Sequence, residues 1–339
     1  MEYSAVGQHV RADDGGDIAA GDYRPHLTGS QRSTKIAVEY DGRHAGSRAM
    51  KIVHYDEIEW KRGLQHRGGT FHYRHLLNGA PGTLGNFQFN IGQLEGDFAS
   101  PRHRHNFDQF RFQIEGTMNF DRNGKMTAGS FGYFPEGAAY GPQSSEGRSI
   151  TAVLQFGGAS GSGYLSREQV YAGTEELKKF GTFEGGIFRR NDDVEGRRNT
   201  DGYQAIWEHM NGQRMEYPKP RYRDPIVVDP SHYEWVPGEG APGVFEKPLG
   251  TFTERHCGAD LIKVARGATY RAQQRSVYLV LSGAGIGDNA TYRQFTALHL
   301  DEGEEADIVA RDETEILRLA LPDLTGVQAL RAAHVEAAE

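Results

Sequence analysis

The chain has 339 residues, a length that suggests about two domains, and 37% of them are apolar, enough for packed cores. A formal net charge of −8 argues against a general nucleic-acid binder, and no apolar run approaches the ~18 residues of a membrane span. One cysteine, Cys257, rules out an internal disulfide framework and fits a reducing, cytoplasmic compartment.

Residues 1–48 are rich in Gly, Asp and Arg without periodicity, and they lack the apolar core of a secretory signal. They read as an arm that is disordered or wraps a neighbour. Over 49–165 the text becomes short alternating runs broken by Gly, Pro and Asn ("FQFNIGQLEG", "FRFQIEGTMNF", "GSFGYFPEG", "SITAVLQFGG"), the pattern of antiparallel strands in a sandwich or small barrel. Asn123-Gly124 marks a hairpin and Pro135-Glu136-Gly137 a turn. Residues 166–230 change character. Ser166 with Gln169 three residues on forms a capping-box pattern ahead of a helix, and a second helix runs from a cap at Thr200 or Asp201 to about Gly212. "YPKPRYRDP" then reads as an extended linker. Strands return over 231–325, similar in texture to the first set, and 326–339 form a tail. The whole reads as an all-β fold used twice, joined by a short helical linker.

The segment "SPRHRHNFDQFRFQIEG", Ser100–Gly116, carries the chemistry. In a strand, alternate side chains face opposite ways. Phe110, Phe112 and Ile114 would then pack on one side, and His103, His105, Gln109, Arg111 and Gln113 would share the other. Neutral imidazoles suit a first-row metal. A guanidinium fork pairs bidentately with a carboxylate. Phe107, Phe98 and Tyr133 are candidate pocket walls.

Two motifs in this first half resemble the cupin superfamily, whose fold is a double-stranded β-helix, or jelly roll. The first is His103-Arg104-His105, Gln109 and Gly116, with Gln where the family usually has Glu. The second is Gly129, Pro135-Glu136-Gly137 and Tyr140, with Tyr where the family has His. With its second copy, the chain resembles a bicupin. "HRHNFDQFRFQIEG" is most similar to the first motif of gentisate and salicylate 1,2-dioxygenases. That resemblance implies ferrous iron on His103 and His105, with Gln109 and Tyr140 at the other ligand positions. It also implies Arg111 as the clamp for a substrate carboxylate. Mn, Ni, Cu or Zn, or no metal, stand as alternatives. Tyr140 is open to several roles: metal ligand, general acid/base or hydrogen-bond donor to substrate. His72 and His75 are candidates for a missing third ligand, whereas His66, His72 and His75 otherwise read as surface or lid residues.

The second half has Gln273-Gln274-Arg275 where His-x-His would fall, and reads as a structural or dimerising barrel without metal. His256-Cys257 matches no metal spacing, so Cys257 is expected to be buried. The expected function is a metal-dependent, dioxygenase-like oxidoreductase acting on a small, aromatic carboxylate. His103 and His105 would hold the metal, Arg111 and Tyr140 would be catalytic, and Arg111, Gln113 and Phe107 would contact substrate. The alternatives are a non-redox cupin isomerase, lyase or decarboxylase, and a metal-free small-molecule binding protein. The expected partners are a small-molecule substrate and a second or fourth copy of the chain, with neither nucleic acid nor membrane.

Overall fold

The computed structural model describes residues 50–63, 70–158 and 164–327. The expected arm, His66 and the expected tail beyond Val327 lie outside the described residues. Two seven-stranded antiparallel sheets dominate, each accompanied by a four-stranded sheet. The first large sheet holds Phe71–Asn78, Phe87–Leu94, Phe107–Glu115, Phe131–Phe134 and Ser149–Gly157, with Lys61–Arg62 and Ile226–Val228 at its edges. Its small companion holds Ala99–Ser100, Thr117–Asn119, Lys125–Thr127 and Gln143–Ser145. In the second barrel Val244–Thr251, Gly258–Val264, Ser276–Ser282, Thr296–Leu300 and Thr314–Ala320 make the body of the large sheet, edged by Lys51–His54 and Val236–Pro237.

The strict alternation of the sequence sorts side chains between two interiors. On Phe107–Glu115 the even residues Phe110 and Phe112 join Phe89, Ile91, Phe131, Tyr133, Leu154 and Phe156 in one large core. That core also contains Leu261, Val277, Leu279, Leu317 and Leu319 from the second barrel, so the two large sheets pack against each other through it. The opposite face of the second barrel's sheet closes on its own apolar cluster, including Ile262, Val264, Tyr278, Val280, Leu298 and Ile316. That interior is lined by apolar and aromatic side chains. Cys257 is fully buried in the shared core, as its sequence context suggested.

Both expected helices form. α1 (Arg167–Leu177) starts at Ser166 with a complete capping box to Gln169, and α2 (Gly202–Asn211) starts at Asp201 and ends on Gly212 in the left-handed conformation. Between them the linker also holds a three-stranded sheet, Gly181–Glu184, Ile187–Arg190 and Asn199–Asp201, which the sequence reading missed. Two boundaries differ from those read in the sequence. Lys51–His54, placed in the first domain, pairs with Thr296–Leu300 of the second barrel. Ile226–Val228, placed in the linker, pairs with Phe131–Phe134 of the first. In both cases a sheet edge with unpaired N–H and C=O groups has recruited a segment distant in sequence. Phe71–Asn78, which carries His72 and His75, pairs with Phe87–Leu94 inside the first barrel.

Candidate functional site

The two sequence motifs meet through the backbone. His103 N donates to Tyr140 O at 3.0 Å, Tyr140 N returns to His103 O at 2.9 Å, and Gly137 N donates to His105 O at 2.8 Å. The turn Pro135-Glu136-Gly137 makes this possible. Gly137 sits at φ +77, and a Cβ there would lie 2.1 Å from Pro218 O, so only glycine fits. Gly116 closes the first motif in the same manner, at φ +72 with Arg148 O 2.5 Å from where a Cβ would stand.

Inside the first barrel lies a cavity of about 220 Å³. His103, His105, Phe107, Gln109 and Arg111 line it, the odd positions of the segment as expected. Gln88, Asn90, Gln143 and Gln155 add carboxamides, and Phe71, Tyr73, Leu94, Phe98, Tyr164 and Tyr203 add apolar and aromatic wall. Among the described lining residues none is Asp or Glu, whereas two are Arg and two are His. Below the cavity, Phe120, Met126 and Phe134 form an apolar floor. Above it, Phe107 packs with Tyr164, Tyr203, Trp207 and Leu165 under the two helices.

Of the expected residues, Gln113 lies one step below the lining. It is fully buried, accepts from Thr151 Oγ1 at 2.8 Å and donates to Glu115 O at 2.8 Å. Tyr133 is a correction: paired with Phe110, it faces the shared core and not the cavity. His72 and His75 do not line the cavity. His72 alternates to the far face from Phe71 and Tyr73, and His75 Nδ1 is held by Asn90 Oδ1 at 2.9 Å.

Tyr140, 1% exposed, sits behind the lining, and its hydroxyl is hydrogen-bonded there. It accepts from Gln109 Nε2 at 2.8 Å and from Arg111 Nη2 at 3.0 Å. Gln109 Oε1 accepts from the same Arg111 Nη2 at 3.0 Å and from Gln155 Nε2 at 3.3 Å. The Arg111 guanidinium also lies 4.1 Å from the Phe134 ring centroid. The polar atoms of two expected metal ligands are thus turned into a network around Arg111.

The imidazoles themselves fit a metal. Their rings lie 4.8 Å apart and nearly perpendicular. His103 Nδ1 donates to Pro101 O at 2.7 Å, a contact of the kind that orients a ligating histidine. Among the described residues no group of three or more His, Cys, Asp or Glu could hold a metal. Two imidazoles are thus the candidate metal donors that the cavity offers.

Behind the strand of the site lies a buried acid pair. Asp108 Oδ1 accepts from Tyr133 Oη at 2.9 Å and from Glu136 N at 2.7 Å. Burial, then the nearby Glu136 charge, pushes Asp108 up to about 7. Arg221 bridges Glu136 and Glu254 at 2.6 Å each and holds Glu254 down at about 2.

The sequence reading missed Arg167, the first residue of α1. It lines the cavity with its guanidinium 3.8 Å from the Tyr73 ring centroid. The capping box located the helix, but no sequence signal says that Arg167 turns into the barrel.

No protein-family model matches the chain, and no curated protein matches it. Solved structures do. A "putative dioxygenase" from Nostoc punctiforme is 12% identical over 83% of this chain and 86% of that one, with a TM-score of 0.57. A "Putative Glyoxylate Induced Protein" from Pseudomonas aeruginosa is 11% identical over 80% and 88%, with a TM-score of 0.50. Oxalate decarboxylase from Bacillus subtilis is 13% identical over 82% and 78%, with a TM-score of 0.48. The first two carry the assignment of the fold, an all-β, double-stranded β-helix bicupin. No helix among the described residues is long and apolar enough to cross a membrane.

Proposed function

We propose that the first barrel is the active site of a cupin-type enzyme that binds a small carboxylate with an aromatic or other apolar body. One observation carries this reading: the described lining holds two guanidinium groups, two imidazoles and several carboxamides, with aromatic walls and no acid. A site of that composition attracts an anion and gives its apolar part a dry surface. Arg111 orients the carboxylate. Tyr140 acts through Arg111 and Gln109 and is a positioning residue rather than a ligand or acid/base. Phe98, Phe107 and Leu94 keep water from the bound ligand. His103 and His105 would hold one divalent first-row metal, Fe(II) in our assignment. When bound, that ion would supply the redox chemistry of a dioxygenase-like oxidation.

A second reading, a metal-free carboxylate-binding protein, is favoured by the engagement of Gln109 and Tyr140 in the Arg111 network. Elemental analysis separates the two. The first expects about one first-row metal per chain, lost in the double variant His103→Ala/His105→Ala. Calorimetric titration with benzoate tests what they share. Arg111→Leu should weaken benzoate binding at least tenfold with the fold retained by circular dichroism. Wild-type protein that binds no benzoate would sink both readings.

A further inference from the structure

We propose that the ligand carries a second anionic group, at the end remote from Arg111, and that Arg167 receives it. This rests on the carboxylate reading above and narrows its substrate class to dianions. Arg167 lies over the Tyr73 ring with its Nε buried and without a hydrogen-bond partner. Among the described residues no acid pairs with it. A guanidinium held over a ring by its Cζ keeps N–H donors that can take an oxyanion bidentately.

The platform under it is built. Tyr73 Oη is hydrogen-bonded to Tyr171 Oη of α1 at 3.1 Å, and Gln169 and Ser166 cap the same helix reciprocally. Strand and helix are thus tied together at the point where Arg167 leaves the helix. Tyr73 pairs with Gly92, Gly92 with Thr151, and Thr151 with Gln113 on the strand that carries Arg111. Three strand spacings, about 14 Å along the sheet, separate the backbone under Tyr73 from the strand that carries Arg111. Between them the lining is Asn90, Thr151 and Val153 with aromatic wall, suited to an uncharged rigid body.

The test is calorimetric titration of the full chain with benzoate, terephthalate and 4-carbamoylbenzoate, the last matching terephthalate in shape without its second charge. Wild-type protein should prefer terephthalate over 4-carbamoylbenzoate by roughly tenfold or more. In Arg167→Gln that preference should fall to about one, and Arg167→Lys should restore part of it. Wild type that binds benzoate but shows no preference for terephthalate overturns the proposal and leaves the carboxylate reading standing. A preference that survives in Arg167→Gln also overturns it. Failure of all three compounds to bind wild type overturns both. Should Arg167→Gln not fold, the wild-type preference and its size in Arg167→Lys decide the matter.

Discussion

Gln109 is hydrogen-bonded between Arg111 and Tyr140. Its Oε1 lies 3.0 Å from Arg111 Nη2, and its Nε2 donates to Tyr140 Oη. Gln109→Glu would place a carboxylate against the guanidinium and beside the two imidazoles. We expect it to weaken benzoate binding about tenfold and to raise metal occupancy, read by calorimetry and elemental analysis on the same samples. Unchanged values in both would mean that Gln109 does not control the site. Asp108 acts on pH dependence from the other face of the strand. Its carboxyl is raised from the ordinary 3.8 to about 7, so between those values the folded protein holds a proton that the unfolded chain has released. Its contribution is complete below pH 4 and is lost as the pH rises through 7. His299 runs the other way: burial pulls it down to about 4, so its contribution holds above pH 6.5 and is lost as the pH falls through 4. Subtracting Asp108→Asn from wild type isolates the first. That difference in unfolding free energy should move against wild type by a few kcal/mol from pH 4 to pH 8, since one pKa unit corresponds to about 1.4 kcal/mol. A flat difference would show that Asp108 titrates normally.

At the scale of elements, the site depends on one turn that brings two strand ends together. The His103–Tyr140 backbone pair and the Gly137–His105 bond leave little freedom in where the histidines stand. Gly137→Ala would push a methyl group onto Pro218 O, 2.1 Å from its ideal position, in a conformation that L side chains rarely adopt. A left-handed non-glycine residue costs about 1–3 kcal/mol before any clash is counted. Thermal unfolding should therefore show a clear drop in Tm, and benzoate affinity should fall with it as His105 is displaced. A variant as stable as wild type would mean that the linker at Pro218 simply moves aside. α1 is the second element of the site. It was legible from Ser166 and Gln169 alone, because capping is a local interaction written in residues three apart.

For the molecule as a whole, the shared core between the two large sheets is the structural spine. Phe252, which follows strand Val244–Thr251 of the second barrel, packs against rings of the first: Tyr133 at 4.8 Å, and Phe110 and Phe131 at 5.8 Å. Truncating such a buried aromatic ring costs about 3–5 kcal/mol. Phe252→Ala should lower the stability of both barrels together, in one cooperative unfolding transition followed by calorimetry. Two separated transitions, with only the second barrel shifted, would mean that the halves fold independently. The exchanged edge strands Lys51–His54 and Ile226–Val228 point the same way, since each is covalently nearer to one barrel and hydrogen-bonded into the other.

The sequence by itself determined what is local. Period-two alternation told which side of Phe107–Glu115 each residue faces. Glycine and proline spacing located the turns, the two motifs identified the fold and the histidine pair, and the similar texture of the second half pointed to the repeat. It did not separate two buried faces of one strand from each other: Tyr133 was expected in the cavity and lies in the shared core, because both interiors are aromatic and alternation gives only parity. Edge pairing, the exchange of strands and the inward turn of Arg167 were decided by tertiary structure alone. They rest on contacts between residues as far apart as Lys51 and His299, or Tyr73 and Arg167, which no spacing rule along the chain encodes. The same holds for Tyr140. Its place in the motif was legible, but the hydrogen bonds of its hydroxyl with Gln109 and Arg111 were not.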